Sequence, residues 1–337
     1  MNSEVPARDA DVALLDLDGV VYIGASAVDH AVDSLTAARA LGMGTAFVTN
    51  NASRTPSDVA GHLRALGIHA PDTSVVTSAQ AGARIARRIL PSGGRVLAVG
   101  GSGLDWCLRE QGLTPVRSLG ENPDAIMQGF GRNLDWSALA EACFAVSAGL
   151  PWIATNLDPT VPLPEGFGPG NGAFVRLVAQ TTGREPDYVA GKPERPLMDE
   201  SVIRTGATRP LVIGDRLDTD IEGARRAGIR SMLVLTGVTD IRTLLAADGD
   251  LRPDLICADL RGLLDPYPVV ARDGVVWTCG GARAEVTGEI LRASGGSALD
   301  RLRAATRAAW AARDAGITVV VEVCLPDLLA ADPRGRG

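Results

Sequence analysis

Val12-Ala13-Leu14-Leu15-Asp16-Leu17-Asp18-Gly19-Val20 is an apolar run of strand length that stops at two carboxylates one residue apart, followed by a glycine. If Val12 to Leu17 is a strand with helices over both faces, its uniform apolarity is what a parallel sheet requires. The two acids then stand at its carboxyl end, where open α/β sheets hold their ligands. Side chains at i and i+2 of an extended chain point the same way, with Cα atoms about 6–7 Å apart at ~3.3 Å rise per residue. Asp16 and Asp18 could therefore reach one small substrate. Asp-Gly is also a common turn pair, so this stretch by itself leaves a site and a turn both open.

The flanking sequence supplies the rest of a sheet. Gly19 to Gly24 reads as a short loop or flap, and the spacing of Val28, Val32 and Leu35 predicts a helix over 28–40 that closes at Gly42. Thr45 to Val48 is a strand ending in Thr49-Asn50-Asn51. Thr55-Pro56 opens a helix to about Leu66, with a good cap followed by a residue suited to the first turn. Val75-Val76 is a short strand and Ala79 to Leu90 another helix. This alternation implies an α/β, doubly wound parallel sheet.

Pro91-Ser92-Gly93-Gly94 is a linker signal, and beyond it the alternation restarts at Arg95 to Val99. Gly100-Gly101-Ser102-Gly103 superficially resembles a dinucleotide fingerprint, but the spacing fails and no suitably placed acid follows. Strands at 125–128 and 151–154 and a helix over 137–148 complete a second α/β unit. Its loops are Thr155-Asn156-Leu157-Asp158-Pro159 and Gly168-Pro169-Gly170-Asn171-Gly172. The first fold resumes near Tyr188, with a strand at 210–213 ending in Gly214-Asp215-Arg216-Leu217-Asp218-Thr219-Asp220. From about Val269 a tail reads strand, strand, helix, strand, its helix opened by Ser297 and Asp300 and its last strand at 317–323. Arg292-Ala293-Ser294-Gly295-Gly296-Ser297 approaches an acyl-CoA-binding loop, with Ser297 in place of the final small residue; a packing appendage is the expectation. The expected domains are a core over 1–90 and 188–266, an inserted α/β cap over 91–187 and a small α+β appendage over 267–337.

Composition narrows the chemistry. At 337 residues the chain exceeds what one core usually supports. A net charge of −7 with 4% aromatics argues against a nucleic-acid surface. No apolar run reaches membrane-span length, which argues against a membrane partner. Met1 to Asp11 lacks the basic and apolar regions of a signal peptide, and the five cysteines are odd in number and never in a CxxC pair, so reduced thiols in a cytoplasm are expected. The three histidines form no metal-ligand pattern, and no cysteine precedes an arginine at the spacing of a thiolate phosphatase loop. A hydrolase built from this chain would use a carboxylate or hydroxyl nucleophile.

Among 33 lysines and arginines the single lysine is Lys192, in Ala190-Gly191-Lys192-Pro193. Lysine offers a compact point charge with rotatable donors where arginine offers a planar fork, and the flanking Gly and Pro mark a loop. Four clusters thus fall in loops of the resuming fold: Asp16 with Asp18, Thr49-Asn50-Asn51, Lys192, and Asp215 with Asp218 and Asp220. Several carboxylates in one cleft repel unless a cation neutralises them. Oxygen ligands without histidine suit Mg²⁺, and a lysine with neutral donors suits a phosphoryl group.

Asp16-Leu-Asp18-Gly-Val, Thr49-Asn-Asn, Gly191-Lys192-Pro and Gly214-Asp215-Arg-Leu-Asp-Thr-Asp220 resemble the four motifs of the haloacid dehalogenase superfamily of phosphatases. Their order and the large insertion between the second and third resemble its 4-nitrophenylphosphatase-like subgroup with an α/β cap, over roughly residues 10–260. The resemblance implies that Asp16 attacks phosphorus and forms an aspartyl-phosphate. Asp18 would protonate the leaving alkoxide and then activate water. Mg²⁺ would bind the Asp16 carboxylate, the Asp18 carbonyl and Asp215, with Asp220 orienting from behind. Thr49, Asn50 and Asn51 would donate to phosphate oxygens, and Lys192 would neutralise charge. Val20 departs from the threonine of many members and removes a hydroxyl but no charge.

The resemblance further implies a small phosphorylated metabolite as partner, and it allows a homodimer. Overall similarity, tail included, is to bacterial phosphatases of glycerol 3-phosphate, with phosphoglycolate, pyridoxal phosphate and nucleotides as alternatives. Asn156, Asp158 and Asn171 are candidates for substrate selection at the mouth of the cleft, against ordinary turn chemistry. Enzymatic hydrolysis of phosphate monoesters reaches accelerations of about 10²¹-fold, of which general acid–base help supplies only about 10²–10⁴. The full set of groups is needed, and a lone pair of acids would not suffice. A non-catalytic phosphate-metabolite sensor usually lacks an acid or the lysine, whereas here every role is filled. A phospho-acceptor receiver places its lysine last, whereas here an acidic cluster follows Lys192.

Overall fold

The computed structural model describes residues 5–163, 166–321, 328 and 333. The chain forms two compact units, Met1–Thr45 with Ala207–Gly337, and Ala46–Gly206. No helix among the described residues is long and apolar enough to cross a membrane.

In the first unit, four strands run parallel in the order Leu255–Cys257, Arg230–Val234, Pro210–Gly214, Val12–Leu15. The register pairs Val12 with Pro210 and Leu15 with Ile213. All four are buried along most of their length, as expected for strands covered on both faces. The opening strand ends at Leu15, two residues short of the expected end, and the backbone N–H of Asp16 adds one more ladder bond, to the Ile213 carbonyl at 2.9 Å. The loop expected over Gly19 to Gly24 holds a small antiparallel pair, Tyr22–Ile23 with Ser26–Ala27.

The tail differs from its expectation. It is a four-stranded antiparallel meander, Ala271–Asp273, Val276–Cys279, Ala282–Thr287 and Ile290–Gly295, followed by the helix Ala298–Asp314. Two-residue turns join the strands. Gly280 and Gly281 sit at φ +50° and +85°, the left-handed pair that a tight hairpin demands. Of the strand expected over 317–323, Val320 makes a single bridge to Ile290, and 322–323 lie outside the described residues.

The described residues of the tail share their core with the layer before it. Leu302, Ala305, Ala309 and Trp310 are packed in one cluster with Leu233, Leu235, Ile241 and Leu244 of the parallel-sheet layer. Hydrogen bonds reinforce the join. Trp310 Nε1 donates to the Leu244 carbonyl at 3.0 Å, and Arg303 Nε to the Ile256 carbonyl at 3.0 Å, on the edge strand. The acyl-CoA-like stretch is consumed in packing: Ser297 caps the helix through the Asp300 N–H, and Arg301 donates to the carbonyls of Gly295 and Gly296.

In the second unit, the end of Gly44–Thr49 pairs in parallel with Val75–Thr77. The helices Pro56–Ala65 and Ser78–Ile89 follow, each opened by a reciprocal capping box, Thr55 with Asp58 and Thr77 with Gln80. A five-stranded parallel sheet comes next, in the order Tyr188–Val189, Trp152–Ala154, Ala125–Gln128, Arg95–Val99, Thr114–Val116. Tyr188–Val189, the expected restart of the first sheet, instead forms the edge of this one. Thr114–Val116, interrupted by Pro115, gave no sequence signal and is the opposite edge, where a proline is tolerated. Of the two polar loops beside this sheet, 155–159 stays a loop, whereas 168–172 gives way to the end of Gly166–Pro169, which pairs with Thr160–Leu163, and to the start of the helix Asn171–Thr182.

Candidate active site

The first unit holds the acids. Asp16 follows the end of its strand, Asp215 follows Gly214 at the end of the neighbouring strand, and Asp220 lies in a π-helical turn, Leu217–Ile221, just beyond. One carboxylate oxygen from each of the three lies within 4.8 Å of the others. Asp215 and Asp220 are each 1% exposed, so mutual repulsion is little screened by solvent.

Backbone donors fix their directions. Val238 N–H reaches Asp215 Oδ2 at 2.5 Å, Thr239 N–H reaches the Asp215 carbonyl at 3.0 Å, and Arg216 N–H reaches Asp220 Oδ2 at 3.2 Å. Gly19 stands at φ +82°, and a Cβ there would lie 2.7 Å from Asp215 Oδ2. The glycine is thus required twice, by conformation and by the acid beside it. Thr236 Oγ1 donates to the Gly19 carbonyl at 2.5 Å and ties the same turn. Asp18 is exposed. Asp218, the remaining acid of the late cluster, turns to Arg216 with contacts of 3.0 and 2.7 Å. Partial burial would raise its carboxyl, but the Arg216 guanidinium outweighs that and holds it below the ordinary range.

The second unit holds the neutral donors and the lysine. Thr49 ends its strand, and its Oγ1 accepts from Asn51 N–H at 3.1 Å. Asn51 Oδ1 accepts from the N–H and hydroxyl of Ser53 at 2.9 and 2.7 Å. Asn50 is the centre of this unit's network. Its Oδ1 accepts from Lys192 N–H at 2.8 Å, and its Nδ2 donates to the Lys192 carbonyl and to Asp158 Oδ2, both at 3.1 Å. Both hydrogens of the Asn50 side-chain amide are therefore engaged within the protein. Lys192 is 4% exposed, and its Nζ lies 3.3 Å from the Val48 carbonyl.

Two of the three selection candidates are corrected. Asn171 is not in a loop but opens a helix, 1% exposed, and its Nδ2 donates to the Asn156 carbonyl at 2.8 Å. Asn156, 3% exposed, donates from Nδ2 to the Asn50 carbonyl at 2.7 Å and accepts Asp158 N–H at 3.1 Å. Buried amides that hold backbone groups brace the loop and are not its recognition surface. Asp158 remains, half-buried, with its carboxylate on Asn50.

The glycine-rich stretch that looked like a nucleotide loop has a packing role. A Cβ on Gly101 would lie 2.5 Å from the Ser53 carbonyl, and Gly103 N–H donates to that carbonyl at 3.3 Å. Gly191 is similarly constrained, with Asn50 Oδ1 at 2.5 Å from its would-be Cβ. Sequence reasoning missed the turn Thr236-Gly237-Val238 and the hydroxyl of Ser78, which donates to the Asn50 carbonyl at 2.6 Å. The signal for the turn was present: Thr-Gly directly after a strand.

Sequence profiles of known families match both ends of the region. Haloacid dehalogenase-like hydrolase covers residues 13–114, and HAD-hydrolase-like covers 189–263. The chain is 46% identical over 257 residues to the D-glycerol 3-phosphate phosphatase of Mycobacterium tuberculosis, spanning 76% of this chain and 72% of that one. It is 35% identical over 229 residues to a 5'-nucleotidase of Bacillus subtilis, spanning 67% and 87%. The crystal structure of glycerol phosphate phosphatase from Mycobacterium tuberculosis in complex with magnesium superimposes with a TM-score of 0.87 at 41% identity, covering 97% of this chain and 98% of that one.

Proposed function

The chain belongs to the haloacid dehalogenase-like hydrolases, and we propose that within this family its principal substrate is glycerol 3-phosphate, cleaved to glycerol and phosphate. It is a phosphoric monoester hydrolase acting on small phosphorylated compounds. The observation that carries the reading is the Asp16, Asp215 and Asp220 triad, whose oxygens converge within 4.8 Å at the ends of two adjacent parallel strands.

Three carboxylates that close need a cation, and an all-oxygen set without histidine suits a hard divalent ion. We assign Mg²⁺, which the carboxylates of Asp16 and Asp215 and the Asp18 carbonyl would hold, with Asp220 orienting them. Bound there, Mg²⁺ supplies charge neutralisation for these carboxylates and for the phosphoryl oxygens.

The remaining chemistry falls to side chains. Asp16 Oδ attacks phosphorus, the phosphorus–alkoxide bond breaks, and the proton of Asp18 goes to the leaving oxygen. Asp18, now ionised, takes a proton from water as that water attacks the aspartyl-phosphate, which releases inorganic phosphate and restores Asp16. The exposure of Asp18 supports this role, because the attacking water must reach its carboxylate once the leaving group has gone. Lys192 and the Thr49 hydroxyl neutralise and orient the phosphoryl group. The segment 91–187 is read as a cap that selects the ester, and the unpaired thiols of Cys107, Cys143, Cys257 and Cys279 support a cytoplasmic setting.

Measuring kcat/KM with Mg²⁺ across glycerol 3-phosphate, phosphoglycolate, pyridoxal phosphate and nucleoside monophosphates tests the substrate. The highest value is expected on glycerol 3-phosphate. A higher value on any of the others would reassign the enzyme within its class.

A further inference from the structure

We propose that Asp158 is a positioning residue that acts on Lys192 through Asn50, so that the loop 155–158 sets the geometry of the catalytic lysine rather than choosing the substrate. This rests on the reading of Lys192 as a phosphoryl-binding cation.

The hydrogen bonds dictate the argument. The Asn50 amide grips one residue at two points, accepting from the N–H and donating to the carbonyl of Lys192, as a strand partner would. A side-chain amide free to turn about its last torsion cannot hold such a grip alone. Its second hydrogen goes to the Asp158 carboxylate at 3.1 Å, and a carboxylate is a stronger acceptor than a neutral carbonyl. Asp158 is itself held by Asn156, whose amide also fixes the Asn50 carbonyl, and Asn171 anchors Asn156 from its helix. Four residues from three separate segments thus end on the Lys192 main chain. One oxygen of the Asp158 carboxylate, Oδ2, is committed to Asn50.

The consequence is a defined kinetic pattern. Asp158→Ala should lower kcat about tenfold, the scale of one charge-assisted hydrogen bond, by the same factor on glycerol 3-phosphate, phosphoglycolate and an aryl phosphate, with KM little changed. Asp158→Asn should recover most of the loss, because its amide oxygen accepts the same hydrogen. Asn50→Ala should cost at least as much as Asp158→Ala, and the double variant no more than Asn50→Ala, since Asp158 has nothing left to act through. Lys192→Met is measured alongside.

Losses that differ between esters, or that multiply in the double variant, would overturn the proposal, as would an Asp158→Asn no better than Asp158→Ala. Full turnover by Lys192→Met would overturn the reading of the lysine itself and the proposal with it. An impaired Lys192→Met beside a harmless Asp158→Ala would overturn the linkage alone. Unchanged thermal unfolding of Asp158→Asn keeps the comparison free of folding defects.

Discussion

Lys192 is held at both ends of its main chain by one side chain, with Asn50 accepting from its N–H at 2.8 Å and donating to its carbonyl at 3.1 Å. The only lysine in the chain is thereby buried to 4% exposure, in a sequence that uses arginine for every other such cation. Replacing it with methionine keeps the length and apolar stem and removes the charge. Loss of one donor aimed at developing charge costs about 10²–10³ in kcat. Lys192→Met should fall in that range at saturating Mg²⁺, measured by phosphate release.

Gly237 lies against Asp215 so closely that a Cβ there would overlap the Asp215 carboxylate. Gly237→Ala should push that carboxylate out of the triad while leaving the sheet intact. The expected outcome is a Mg²⁺ affinity weakened by tenfold or more, read by calorimetry without substrate, with a far-ultraviolet circular dichroism spectrum like that of the parent.

The tail and the parallel-sheet layer share one apolar cluster, and Trp310 stands in it at 2% exposure. Trp310→Ala empties a large volume and leaves the Leu244 carbonyl without its donor. It should destabilise the protein by about 3–5 kcal/mol, read as a lower urea midpoint. Deleting 267–337 exposes the same surface and should give insoluble protein. A soluble, active truncation would show that the appendage is dispensable.

Burial pushes the Cys107 thiol up to about 12 and the Cys257 thiol up to about 11. In the unfolded chain both would titrate at about 8.5. Between these values the folded state binds the extra protons, so stability must fall as pH rises, by about 1.4 kcal/mol per pH unit for each thiol ionised only when unfolded. Urea unfolding between pH 8 and pH 10 should show the decline, and Cys107→Ala should flatten it.

The acids were legible because each motif combines an apolar run with polar residues at its end, and a parallel sheet turns that pattern into a position at its carboxyl edge. Asp16 and Asp215 follow adjacent parallel strands as the sequence implied. What could not be read was which polar side chains are spent on the protein itself. Asn50, Asn156 and Asn171 look alike in sequence to residues that would contact a ligand, yet their amides hold the carbonyls of Lys192, Asn50 and Asn156. That allocation depends on partners 15 to 142 positions away. The tail was misread for a related reason. Its short exposed strands alternate weakly, and the glycine turns carry the information that the apolar pattern lacks.

The central claim is that Asp16 forms a covalent phosphoryl intermediate. The most direct measurement is acid quenching of the Asp18→Asn variant during turnover of a radiolabelled aryl phosphate, whose leaving group needs no proton, followed by peptide mapping. Without Asp18 to activate water the intermediate should accumulate, with label on the peptide that contains Asp16 and none in the Asp16→Asn, Asp18→Asn double variant. Label on another residue, or phosphate release by Asp16→Asn at the parent rate, would contradict the account.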